Sequence, residues 1–244
     1  MRNVMILALA MVAPAAARAG SFTPPQGCTT HLTVQSRGCY VANYYTCEAD
    51  PKGDQWRADF DQEGMFFLSH IDSETQWVES IEMNPTVTQR LDPGAKDPAS
   101  FSNLLTTGRD DFNFSLSKDN GEHSNVAGYD QLTGKTAVIN GVTLEETQYE
   151  YAETDDAGTV LRKSRGHEYI SRDWRLFFSG HSEWWDGANW QPLEGSPAAF
   201  ILPGEKGFAA TQPIFDCDAQ MSALEVPMLH RAALSVAPSA SPKE

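Results

Sequence analysis

Thr147-Gln-Tyr-Glu-Tyr-Ala152, Asp155-Asp156-Ala157-Gly158 and Thr159-Val-Leu-Arg-Lys163 are the stretch that decides the fold. The first piece alternates β-branched or aromatic residues with polar ones, the period of a half-buried strand. The middle piece is turn chemistry ending in Gly, so the three together read as a β-hairpin. Towards the C-terminus follow His167-Glu-Tyr-Ile-Ser171, a turn at Arg172-Asp173, Trp174-Arg-Leu-Phe-Phe-Ser179, Glu183-Trp184-Trp185, and Trp190 beyond the Asp186-Gly187 turn.

The same alternation extends towards the N-terminus. Cys39-Tyr-Val-Ala-Asn-Tyr-Tyr-Thr-Cys47 reads as a strand, and Trp56–Asp61 and Met65–Ile71 flank Gln62-Glu63-Gly64 as a hairpin. Gln76–Met83, Thr86–Leu91 and Phe112–Leu116 continue the meander. Asn140-Gly141, inside Ala137–Leu144, is either a tight turn or a bulge. One interruption has helical signals: Asp97 as cap, Pro98 at the first helical position, Phe101, Leu104 and Leu105 on one face, and Gly108 after them. Turn signals every 8–12 residues or so, with no long amphipathic helix, exclude a parallel βαβ fold. The expectation is a mainly β chain. It comprises a single antiparallel domain of about eight to eleven strands, a curved meander forming a barrel, half-barrel or sandwich, with one short helix plugging or covering a sheet edge.

The flanks read differently. Met1-Arg2-Asn3, the apolar run from Val4 to Ala17 and Ala17-Arg18-Ala19 have the layout of a secretory signal peptide over 1–19, cleaved after Ala19. The run is shorter than the roughly 20 residues that span a bilayer, and no other stretch is long and apolar enough, so no transmembrane segment is expected in the mature chain. The β domain is expected over 20–228, followed by a flexible Ala/Ser/Pro tail over 229–244. This places the protein in the periplasm or outside the cell.

The formal net charge of −15 disfavours nucleic acid and anionic lipid as partners. Cys28, Cys39, Cys47 and Cys217 are even in number, which in an exported chain predicts two disulfides. Three pairings are open; the preferred one is Cys28 with Cys39 and Cys47 with Cys217. Without any C-x-x-C spacing, zinc is not expected.

Catalytic motifs fail on inspection. His167-Glu168 begins the H-E-x-x-H zinc-protease pattern, but Ser171 stands where the second His belongs. Gly180-His-Ser-Glu-Trp184 begins a nucleophile elbow but ends in Trp. No cofactor motif is present and no metal site is expected. The dense aromatics near the domain end are the most informative feature. Trp184 and Trp185 are adjacent, so they point to opposite faces of a strand, and with Trp190, His181 and Glu183 they form the candidate ligand-binding residues. The plain alternative is one core Trp and one shielded rim Trp.

In architecture alone, a wide curved meander of this kind resembles the half-barrels of the periplasmic lipoprotein carriers, the LolA/LolB group. No motif is shared over any stretch; the resemblance implies a carrier of an apolar ligand. The leading expectation is therefore a non-enzymatic protein binding an apolar or amphipathic small molecule. The alternatives are a secreted hydrolase using scattered carboxylates in an aromatic-lined cleft, and an envelope protein that binds another protein through a strand edge.

Overall fold

A computed structural model describes residues 20–218. The signal peptide expected over 1–19 and the tail over 229–244 lie outside the described residues. The chain forms β1 (Cys28–Ser36), β2 (Tyr40–Cys47), β3 (Gln55–Phe60), β4 (Met65–Ile71), β5 (Trp77–Met83) and β6 (Thr86–Leu91). Helix α1 (Phe101–Thr107) follows, then β7 (Arg109–Lys118), β8 (His123–Ile139), β9 (Val142–Thr154) and β10 (Val160–Ser171). Last come β11 (Leu176–Trp185), β12 (Trp190–Glu194) and β13 (Pro197–Ile201).

All thirteen strands belong to one antiparallel sheet, ordered from β12 back through β11 to β1, with β13 beyond β1. The count exceeds the sequence expectation for local reasons. Asn140-Gly141 is a tight turn with both residues at positive φ, so the Ala137–Leu144 run is divided between β8 and β9. β1 is a strand that its mixed Thr and His composition conceals, and β12 and β13 have only five residues each.

Those last two strands set the shape. β12 and β13 are two residues apart in sequence yet occupy opposite edges of the sheet, so the sheet curls until its edges stand side by side. The ladder does not close into a barrel. Pro192 in β12 and Pro197 at the start of β13 lack the N–H a ladder bond needs, as befits edge strands. Gly195 N–H extends the β11–β12 ladder by donating to Gly180 O (3.2 Å), and the seam is crossed by the Tyr40 hydroxyl, which donates to Gly195 O (2.9 Å).

Curling brings the first strands against the last. Leu32 and Tyr44 pack with Leu176, Phe178 and Phe200, and the Phe178 ring meets Tyr44 and Phe200 edge-on. A second cluster joins Phe112, Phe114, Val126, Tyr149 and Tyr151 on β7–β9 with Trp77 of β5. On the outer face of β1–β3, Tyr45 and Phe60 are covered by Phe22.

Helix α1 begins later than its sequence signals imply. Ser100, not Asp97, is the N-cap, its hydroxyl accepting from Asn103 N–H, while Asp97 is drawn into a bridge with Asn113. Gly108 ends the helix in the left-handed conformation, as its position suggests. Phe101 and Leu104 are buried against Ile170 and Phe177, so the helix packs across β10 and β11. Glu74, between β4 and β5, accepts from the Ser100 and Ser102 hydroxyls, the Ser102 N–H and Arg175. One carboxylate thus clasps the helix start to the turn after β10.

Both expected disulfides form, with a different pairing from the preferred one. Cys28 bonds Cys47 and Cys39 bonds Cys217. β1 and β2 are an antiparallel hairpin in which Cys28 and Cys47 are direct register partners, whereas Cys39 sits in the turn at the other end. Cys28 and Cys39 are thus held a strand length apart. The long-range tie to the end of the domain exists, carried by Cys39 rather than Cys47.

Candidate functional site

Within the curl of the sheet lies a cavity of about 160 Å³. Its aromatic walls include Tyr44, Phe67, Trp77, Phe112, Phe114 and Tyr149, and charged residues Arg57, Asp130 and Glu168 reach the same space. Strand register explains how these side chains converge. Asp110, Asp130, Tyr149, Gly166 and Ser182 are successive cross-strand partners from β7 to β11, and so form one row on one face. The rows on either side run Phe112, Gly128, Tyr151, Ser164 and Leu132, Thr147, Glu168, Ser179.

Two glycines are required by this packing. A Cβ at Gly128 would stand 2.6 Å from the Tyr151 Cβ. One at Gly166 would stand 2.5 Å from His181 O, and Gly166 also has a φ of 151°. The β10–β11 register shifts between Gly166 and Glu168, where β11 carries one extra residue between Ser179 and Ser182. This is a bulge of the kind that re-aims a side chain.

The charges fall into matched and unmatched groups. Arg57 faces Asp59 at 3.1 Å across a contact that is not an aligned hydrogen bond; burial pushes the Asp59 carboxyl up and Arg57 opposes it. Arg162 donates to Glu153 from both Nε and Nη2, and the Ser124 hydroxyl donates to the same carboxylate. Burial acts to raise Glu153, but these partners outweigh it and leave it below the usual range. Asp110 accepts from Ser100 N–H and Asn103 Nδ2.

Asp130 and Glu168 differ. Neither accepts a hydrogen bond from, or forms an ion pair with, any described residue, and both are only partly exposed. Burial, and behind it the neighbouring Asp130, pushes Glu168 up to about 8. Burial and Asp110 push Asp130 up to about 7. Carboxyls on strands two apart cannot both ionise cheaply in a low-dielectric space, so the two titrate as a pair. Nearby, the Tyr149 hydroxyl shares a hydrogen bond with Ser164 (2.8 Å), while the Tyr151 hydroxyl, on a residue 5% exposed, has no partner.

No family model, curated protein or solved structure matches this chain. The likeness to lipoprotein carriers therefore gains no support, and the site is read from its own chemistry.

The residues expected from sequence lie elsewhere. Trp184 is the register partner of Ser164, and Trp185 that of Trp190, whose ring it meets at 5.6 Å. Arg165 lies over the Trp190 ring at 4.1 Å and donates to Glu183, and His181 meets Glu194 at 2.9 Å. The five thus gather at the β11–β12 end, and none lines the cavity. His181 and Glu183 border a shallow open groove with Arg165 and His167. Of the cavity residues, Tyr149, Tyr151 and Glu168 sat in stretches read as strands. Asp130 was missed because Gly128 and Gly134 interrupt the pattern of β8. Among the described residues no three His, Cys, Asp or Glu side chains are placed to hold a metal ion.

Proposed function

We propose that this chain binds one small amphipathic molecule in the cavity of its curled sheet, in an oxidising compartment outside the cytoplasm. The observation that carries the reading is a cavity whose aromatic walls surround polar groups with no protein partner: the Asp130 and Glu168 carboxyls and the Tyr151 hydroxyl. Protein interiors seldom leave such groups unmet, because each unmade buried hydrogen bond costs about 1–3 kcal/mol. A ligand supplying those bonds would remove the cost. The volume sets the scale, since cavities of about 150 Å³ take up benzene; a molecule of about six to ten non-hydrogen atoms fits. Two disulfides agree with an oxidising compartment, as does the N-terminal sequence. The periplasm or the extracellular space is therefore our assignment.

Native mass spectrometry of the oxidised protein, followed by denaturation, tests the reading. A mass excess released on unfolding supports it. A clean protein mass, together with no chemical-shift change at cavity residues on titrating small aromatic probes, overturns it.

One observation favours a second reading. Two carboxyls raised towards neutrality in one cavity are the equipment of a general acid–base hydrolase. The volume weighs against it, because a glycosidic substrate needs room for a sugar and its leaving group. Turnover of aryl glycosides, abolished by Glu168→Gln, would reverse the order of the two readings.

A further inference from the structure

We infer that the polar end of the cavity is a seat for an organic ammonium group, so that the ligand is a small amine with an aromatic or aliphatic body; this rests on the binding reading above. The argument begins with charge matching. Arg57 is matched by Asp59, Arg162 by Glu153, and the Asp110 carboxylate is met by Ser100 N–H and Asn103. After these assignments two acidic side chains remain, Asp130 and Glu168, and no cation remains for them at hydrogen-bonding distance. An anionic ligand would face uncompensated repulsion. A neutral ligand would leave at least one carboxyl acid or carboxylate short of donors. An ammonium group brings a positive charge and up to three N–H donors.

The geometry provides somewhere to put them. Asp130 and Glu168 flank Tyr149 diagonally across β8, β9 and β10, so both project into one space from a shared face. A third acceptor is independent of the acids. Tyr151 lines the cavity, and its hydroxyl is buried, has no hydrogen-bond partner among the described residues and lies near the Arg162–Glu153 pair. Two carboxylates and one hydroxyl oxygen correspond to the three N–H bonds of a primary ammonium. The Trp77 ring stands edge-on to Phe114 and to Tyr151, at 5.4 and 5.8 Å, and forms a wall for the apolar body. Aromatic faces beside a desolvated cation add cation–π attraction.

Burial and mutual repulsion favour a proton on the acid pair. An entering ammonium displaces it. The groups facing the pair are Asp110 on β7, Tyr149 and Tyr151 on β9, Arg162 with Glu153 beside Tyr151, and across the cavity Arg57 with Asp59 on β3 and Glu79 on β5. Burial raises both tyrosines, so they stay neutral, and Glu79 is paired with Arg90 at 2.6 Å. Amine affinity should therefore rise as pH increases through neutrality, with protons released on binding.

Three probes of one shape make the test: benzylamine, benzyl alcohol and benzoate, titrated into the oxidised protein by calorimetry and by heteronuclear NMR. Benzylamine should bind at least about tenfold more tightly than benzyl alcohol, more tightly at pH 8 than at pH 6, and benzoate should not bind. In Asp130→Asn/Glu168→Gln the preference for amine over alcohol should vanish while benzyl alcohol still binds. Equal binding of amine and alcohol by the unmodified protein overturns the ammonium seat but leaves the binding reading standing. Unchanged benzylamine affinity in the double variant overturns the assignment of the two carboxyls. Failure of all three probes to shift any cavity resonance overturns both proposals together.

Discussion

The outer face of β1–β2 and the cavity wall of β7–β10 solve the same problem, burying polar groups in a sheet, in opposite ways. On the outer face, Thr33 and Asn43 are fully buried and Gln35 nearly so. The Thr33 hydroxyl donates to Asn43 Oδ1 and accepts from Ala209 N–H; Asn43 Nδ2 donates to Ala210 O. Gln35 donates to Gln212 O and accepts from Ile214 N–H. The segment before Cys217 is thereby stitched over the hairpin by side chains that mimic a ladder. On the inner face of β7–β10, Thr147, a register partner of the cavity residue Glu168, is equally buried yet its hydroxyl has no partner, nor does that of Tyr151. The first region is nearly complete within the protein, the buried Thr30 hydroxyl opposite Tyr45 being its exception. The second leaves hydroxyls unmet beside the cavity that we propose as the binding site.

The largest effect should come from the covalent part of the completed region. Cys39–Cys217 joins residues 178 apart in sequence, Cys28–Cys47 only 19. Loop-closure entropy assigns them about 5 and about 3 kcal/mol respectively. Equilibrium denaturation of Cys39→Ser/Cys217→Ser should show the greater loss. A larger loss from removing Cys28 and Cys47 would mean that the C-terminal segment is held by its hydrogen bonds and not by the bridge.

Next, one substitution made in both regions isolates the contrast. Thr→Val keeps shape and removes the hydroxyl. Thr33→Val leaves Asn43 Oδ1 and Ala209 N–H without partners and should cost about 3 kcal/mol. Thr147→Val discards a hydroxyl already unpartnered and should be neutral or slightly stabilising. Equal costs in urea denaturation would erase the distinction between the regions.

How far the sequence foretold this contrast depends on what each level of structure responds to. Alternation marked most strands, because it records burial on a local ladder, and turn residues such as Asp155–Gly158 marked where strands reverse. The curl of the sheet was not legible, because it follows from β12 and β13 being adjacent in sequence and opposite in the sheet. The disulfide pairing failed for a related reason. It requires knowing that Cys28 and Cys47 are register partners, which in turn requires β1, a strand whose His31 and threonines weaken its signal. The cavity acids were hidden because Asp130 and Glu168 meet across β9 only once register is set. Of the visible aromatics, Trp185 and Trp190 meet each other and Trp190 carries Arg165 over its ring.

The acid pair gives the third prediction. Asp130 and Glu168, with ordinary values of 3.8 and 4.5, are raised to about 7 and about 8 on folding. The folded chain therefore holds protons that the unfolded chain has released. The associated stability is full below the ordinary values and declines as pH climbs through the raised ones. His123, raised by its hydrogen bond to Asp156, changes stability in the same direction. The informative quantity is thus the difference between the protein and Asp130→Asn/Glu168→Gln, whose profile should be flatter. Parallel thermal-melting profiles would mean that the two acids titrate as ordinary surface carboxyls.

The smallest effect is the most local. Tyr149 and Tyr151 lie two residues apart on the same face of β9, both buried, and both line the cavity. Tyr149 shares a hydrogen bond with Ser164 Oγ, so Tyr149→Phe should cost about 1 kcal/mol. Tyr151→Phe removes a hydroxyl that no side chain or backbone group meets, and should cost nothing measurable in the empty protein. If the Tyr151 hydroxyl is an ammonium acceptor, the same substitution should weaken benzylamine binding about tenfold or more, the worth of one hydrogen bond to a charged group, while leaving benzyl alcohol almost untouched. A hydroxyl that matters to stability and not to amine binding would have its partner in ordered cavity water, and the contrast between a finished and an unfinished region would then narrow to the two carboxyls alone.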